Sequence, residues 1–162
     1  MPRWLDALVE PLRRAAASVR QAEPGAGRTT RHREPTTRVV AAGVRIEYTP
    51  QLDGDPDPGE VVWTWVPFED DPTLGKDRPV VIVGRHGALL SGVALTSKHK
   101  DRGDHVDVGT GPWDSRGRPS YAKVDRLLDI DPHRVRREGA VLSRRRFDAV
   151  VEAVDRLHDV AR

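Results

Sequence analysis

Apolar residues recur at helical spacing near the start of this chain, gather in short β-branched, aromatic or wholly apolar runs through its middle, and return to helical spacing at its end. Trp4, Leu5, Leu8, Leu12, Ala15, Ala16 and Val19 fall three and four apart, which predicts one or two helices over residues 3–22. Pro11 interrupts the stripe, because an interior proline removes a backbone donor and clashes with the preceding turn. Residues 23–38 show no period and carry Pro, Gly, Thr and Arg, the composition of a linker. A short strand over Val44–Tyr48 and the turn-rich Asp53–Gly59 follow, and the latter marks a domain edge. The division expected is a helical segment with linker over residues 1–50 and a second domain over residues 51–162.

After Gly59 the pattern becomes one of short strands. Glu60–Val66 is β-branched and aromatic, Val80–Val83 is wholly apolar, and Ala88–Leu95 carries Gly92 as a bulge candidate. Val80 follows Pro79, which suits the first position of a strand. His105–Val108 and Tyr121–Ile130 add two or three more strands. So many strands with no long helix between them predict antiparallel pairing in a small barrel or curled sheet, a mainly β (α+β) fold. A last helix closes the chain. Ser143 is its N-cap, Leu142 and Phe147 form a hydrophobic staple, and Phe147, Val150, Val151, Val154 and Leu157 share one face. Arg144, Arg145 and Arg146 fill the first turn, where the helix dipole disfavours positive charge.

Composition then narrows the chemistry. The absence of cysteine removes disulfides, thiolate metal sites and cysteine nucleophiles. No apolar run is long enough to span a bilayer or to form a signal-peptide core, so a cytoplasmic protein is expected. The formal charge is only +2, yet it is segregated. Acid gathers at Asp53/Asp55/Asp57 and Glu69–Asp71, and base at Lys98–Arg102, Arg134–Arg137 and Arg144–Arg146. Such segregation suits either a nucleic-acid face or alternating solvated loops.

No phosphate-cradling glycine loop, paired-histidine zinc motif or nucleophile elbow is present. The six histidines are scattered; His158 lies beside the last helix's apolar face and reads as structural, and His99 and His105 flank a charged turn. Asp53, Asp55 and Asp57 have calcium-loop spacing but lack the distal glutamate such a loop needs.

One ordered set of motifs carries more information. A glycine opens the strand Gly59-Glu-Val-Val-Trp-Thr-Trp65, Lys76-Asp-Arg78-Pro79 runs into Val80–Val83, and Val93-Ala-Leu-Thr96-Ser97-Lys98 ends the next strand. Tyr121–Asp125, Leu128–Asp131 and the Arg137–Ser143 step into the last helix continue the series. In this order the motifs resemble the PemK/MazF family of toxins of type II toxin-antitoxin systems, over about residues 59–158.

The resemblance implies an SH3-like barrel with a C-terminal helix, here with an N-terminal helical extension. It implies a homodimer, neutralised by the disordered tail of an antitoxin protein, that cuts single-stranded RNA with no metal or cofactor. The family's essential arginine falls on Arg78 and its essential threonine on Thr96. Lys76, Ser97, Lys98 and Trp113 are the substrate-binding candidates, Trp113 either stacking a base or packing under a glycine loop. Attack by the RNA 2′-hydroxyl builds charge on phosphate oxygens, which a guanidinium and a hydroxyl stabilise. Arginine is a poor proton acceptor, so the general base stays open among Glu69, Asp70, His86 and His99. Arg78 could instead be an ion-pair partner of Asp77 or of the acidic loop.

The sequence departs from the family in that loop, Pro67–Lys76, where Glu69-Asp70-Asp71 would repel phosphate. Two other readings therefore stand beside the ribonuclease: a barrel that binds RNA, DNA or a protein without catalysis, and a scaffold whose activity lies in residues 1–50.

Overall fold

β-Branched and aromatic stretches pair into one ten-stranded sheet among the residues that the structure, a computed structural model, describes: 37–39 and 42–162. The helix expected over residues 3–22 lies outside them.

Three long strands form the centre: β3 (Glu60–Pro67), β4 (Gly75–His86) and β5 (Leu89–Thr96). They pair antiparallel in succession, with Val61 across from Val81 and Val81 across from Val93. Around them lie β1 (Thr37–Val39), β2 (Ala42–Ile46), β6 (His105–Gly109), β7 (Ser120–Lys123), β8 (Leu128–Ile130) and β9 (Arg136–Val141). β1 pairs with β8, β8 with β5, β2 with β4, and β9 with β3, all antiparallel. Thr37 and Arg38, read from sequence as linker, thus belong to the sheet. The helix α1 (Arg144–Leu157) is followed by β10 (Asp159–Ala161), which pairs parallel to β2; the sequence had suggested a helix to the end.

Strand alternation sends side chains to two faces and so makes two cores. Val61, Val81, Val83, Val93 and Leu95 meet Phe147, Val150, Val151 and Val154 of α1 on one face. Val62, Val66, Val80, Ile82, Leu90, Ala94, Leu128 and Ile130 cluster on the other. The bulge expected at Gly92 falls on the facing strand, between Ile82 and Gly84. Gly92 leaves room instead, since a Cβ there would stand 2.5 Å from Val80 Cγ1.

Leu142 and Phe147 are both buried in the first core, as a staple requires. Ser143 makes no side-chain cap hydrogen bond, however. Of the arginines that follow, Arg144 pairs with Asp148 at 2.9 Å and lies over the Tyr48 ring, and Arg146 lies against Gly109. These contacts offset the unfavourable position of the charges at the helix start. No described helix is long and apolar enough to cross a membrane.

Candidate functional site: a cationic groove where two strands part

The β4–β5 ladder ends at Val80 and Ala94. Beyond Ala94, β5 changes partner: Leu95 and Thr96 pair with Ala122 and Tyr121 of β7. The first residues of β4, Gly75–Pro79, remain paired to β3 alone. Pro79 has no N–H to extend the ladder toward β5. The two strands therefore splay, and a groove of about 350 Å³ opens between them.

Arg78 and Thr96 both line this groove, as do Lys76, Ser97 and Lys98. Continuing the Val80–Ala94 register by two residues sets Arg78 across from Thr96, on one face of the sheet. The facing wall is the loop between β6 and β7, which contributes Asp114, Ser115, Arg116 and Arg118. Five cationic side chains thus face a groove that holds two carboxylates, Asp77 and Asp114. Both carboxylates are engaged: Asp77 pairs with Arg136 at 2.9 Å and Asp114 with Arg118 at 2.9 Å. The Arg116 N–H and the Arg118 side chain together hold the Asp114 carboxyl below the usual aspartate range.

Its backbone apart, Arg78 makes no hydrogen bond or ion pair among the described residues, with Asp77 or with the acidic loop. Burial, then the nearby Arg126, lowers its pKa, while Glu69 pulls the other way. Arg78 in turn is the main cause of a lowered pKa at Lys76, followed by burial and Lys98. Like charges are being held together here, and an anion in the groove would relieve them.

Thr96 Oγ1 accepts a hydrogen bond from the Lys98 N–H at 3.1 Å. Trp113 does line the groove but is only 4% exposed. Its Nε1 donates to Ser120 Oγ at 3.1 Å, and it packs so tightly on Gly111 that a Cβ there would lie 2.2 Å from its ring. It offers no free face for stacking; packing under a glycine loop is the arrangement found. Trp63, which sequence reasoning did not single out for the site, lines the groove half-buried, with the Arg136 guanidinium 6.0 Å from its ring centre. Trp63 and Trp65 share one face of β3, and nothing local to the strand distinguishes the one that reaches the groove.

None of the four candidate bases lines the groove. His86 lies at the opposite end of β4, roughly 25 Å along the strand from Arg78, and is paired with Asp129 at 3.0 Å. His99 packs its ring on Tyr121 at 4.6 Å and toward His105 at 6.0 Å. Asp70 is exposed on the loop after β3. Glu69 is hydrogen-bonded to Lys123, which is the leading reason its pKa is lowered. His158 accepts its structural reading, with Nε2 2.7 Å from the Val124 carbonyl. Among the described residues, no three His, Asp or Glu side chains gather as a metal site would need.

A curled, mainly β sheet with one C-terminal helix and a cationic groove at its splayed strand ends is the class of protein defined here. Residues 57–158 match the PemK-like, MazF-like toxin of type II toxin-antitoxin systems, and the chain belongs to that family. Comparison with curated protein sequences gives no significant match. Among solved structures, MazF of Deinococcus radiodurans in its MazE–MazF complex superposes with a TM-score of 0.51 at 19% identity, over 65% of this chain and 96% of that one. MazF of the same organism, in another structure, gives 0.51 at 18% identity, over 65% and 97%. At these identities the likeness concerns the fold.

Proposed function

We propose that this chain is a toxin-type endoribonuclease that cleaves single-stranded RNA in the groove between β4 and β5. The observation that carries the reading is the convergence on one open groove of an unpaired guanidinium, Arg78, and a hydroxyl, Thr96.

In the reaction, the ribose 2′-oxygen attacks the adjacent phosphorus and its proton leaves. The bond from phosphorus to the 5′-oxygen breaks, and that oxygen takes up a proton. The products are a 2′,3′-cyclic phosphate and a 5′-hydroxyl end. Arg78 stabilises the charge that grows on the non-bridging oxygens, and the Thr96 hydroxyl donates to the same group. Lys76, Ser97 and Lys98 hold the strand, with Arg116 and Arg118 on the far wall. Trp63 replaces Trp113 as the aromatic face available to a base. Because Asp77 and Asp114 are committed to arginines and Glu69 to Lys123, electrostatic stabilisation rather than a strong base is the chain's main contribution.

By the same reading the protein acts in the cytoplasm as a homodimer and is held inactive by an antitoxin, as its family membership suggests. The solved MazE–MazF complex of Deinococcus radiodurans supports that partner.

Purified protein incubated with mixed-sequence single-stranded RNA and excess chelator should give fragments with cyclic-phosphate and 5′-hydroxyl ends. Arg78→Ala should abolish the cuts, and hydrogen in place of the 2′-hydroxyl at a cut site should protect it. RNA that is bound yet intact across diverse sequences would overturn the catalytic reading in favour of a binding module.

A further inference from the structure

Arg78 borders two cavities. Besides the groove, it lines a smaller cleft of about 70 Å³ together with Glu69, Lys123, Arg126, Val66 and Leu128. One ordered water needs on the order of 10–15 Å³, so the cleft has space for a group of about five heavy atoms. That is a phosphate, not a nucleotide.

The cations here are built into the fold, and the acid facing them is not. Lys123 comes from β7 and keeps only 26% of its side chain exposed; Arg126 keeps 19%. Arg126 Nη1 is fixed by the Pro67 carbonyl at 3.1 Å. Glu69, which accepts from Lys123 and lies 4.0 Å from Arg126, stands 51% exposed on the loop between β3 and β4. Asp125 approaches Lys123 at 3.9 Å. Lys100 and Arg78 add their fields to those of Lys123 and Arg126. Four cations thus act on the Glu69 carboxylate, which is held by an exposed pair of a kind that holds its partners weakly.

We infer that this cleft is a second phosphate subsite, whose cations the Glu69 carboxylate engages in the free protein, and that Arg78 is shared between two successive phosphates of one strand. A phosphodiester oxygen offers Lys123 and Arg126 the acceptor that Glu69 now supplies. The acidic loop, which departs from the family and would otherwise repel substrate, then acts as a placeholder. Glu69 swings out toward solvent when a strand long enough to reach the cleft enters the groove. A strand with one phosphate fills the groove alone and leaves Glu69 in place. The inference rests on the groove being a nucleic-acid site, and the test separates the two.

The full chain is titrated with 2′-deoxy single-stranded oligonucleotides, which lack the attacking hydroxyl: a dinucleotide with a single phosphodiester, and a hexanucleotide. Glu69→Gln should tighten the hexanucleotide about twofold to fivefold, the range of an exposed ion pair, and leave the dinucleotide unchanged. Its log–log salt slope should stay that of the parent, since the strand makes the same phosphate contacts once Glu69 has left, whereas Lys123→Gln should make the slope shallower by about 0.7. Lys123→Gln should weaken the hexanucleotide and not the dinucleotide, including in the Glu69→Gln background. Hexanucleotide affinity that Glu69→Gln leaves unchanged or weakens overturns the subsite, as does indifference to Lys123→Gln. If Arg78→Ala still abolishes binding of both probes in that event, the groove reading survives alone. Binding of both probes that is insensitive to Arg78→Ala removes the groove reading itself.

Discussion

The Lys98 backbone N–H donates to Thr96 Oγ1 at 3.1 Å, so the threonine's own proton is left to donate elsewhere. A hydroxyl whose oxygen already accepts from the backbone is oriented, and the group it next meets in the groove must be an acceptor. Thr96→Val keeps the shape and removes both roles. Cleavage should fall roughly 100- to 1,000-fold, the usual cost of one lost oxyanion donor. Thr96→Ser should retain most of the activity. Single-turnover rates check this, and equal losses in the two variants would assign Thr96 a packing role only.

The far wall of the groove depends on Trp113 and Gly111. A methyl group at position 111 would lie 2.2 Å from the Trp113 ring, whose indole is tied to Ser120. Gly111→Ala should therefore force the ring or the loop to move, costing about 1–3 kcal/mol, as overpacking does. Trp113→Ala should cost more, about 3–5 kcal/mol, by removing a large buried side chain. Denaturant melts measure both. A Trp113→Ala protein of unchanged stability but impaired RNA binding would restore the stacking role read from its sequence surroundings.

The strands were legible where short apolar, β-branched or aromatic runs stand between turn residues, as in Glu60–Val66 and Ala88–Leu95, because both faces of this sheet are buried and keep such runs apolar. The first half of β4 was not. Lys76, Asp77 and Arg78 pair with β3 through backbone alone, and a polar segment next to Pro79 gives no periodic signal of it. Arg78 and Thr96 were legible as motif residues, since each stands beside a recognisable neighbour, Pro79 and Ser97. What joins them, the change of partner by β5 after Ala94, is a long-range pairing with no local signature. His86 failed as a base candidate for the same reason: a strand of this length carries its two ends far apart.

His105 links the loop after β5 to the sheet, and its titration should be visible in stability. Its side chain is 2% exposed, and its Nδ1 accepts from the Lys100 N–H at 3.0 Å. Burial lowers its pKa below the ordinary value of 6.5, with Lys123 and His99 acting in the same direction and Asp104 and Asp125 opposing. Between the folded and unfolded pKa values the unfolded chain binds more protons, so stability falls as pH drops through that window and then levels off. Thermal melts at pH 7.5 and 5.0 should show a larger loss for the parent protein than for His105→Gln. Equal losses would mean that carboxylates, not this imidazole, set the acid response.

Lys76 should give two pH dependences of opposite sign. Arg78, then burial and Lys98, lowers its pKa from 10.5. In the window below the unfolded value the unfolded chain again holds more protons, so this group makes stability rise with pH. Anion binding works the other way, because a phosphate beside Lys76 favours the charged ammonium and draws a proton in. Affinity for a 2′-deoxy oligonucleotide should therefore fall as pH climbs through the lowered pKa, while the fold becomes slightly firmer. Lys76→Met should flatten both trends and weaken binding near neutral pH, with a salt slope shallower by about 0.7. Anisotropy titrations and thermal melts at matched pH separate the two. Affinity and stability that move together, or a Lys76→Met protein that keeps both slopes, would show that Lys76 does not meet the anion.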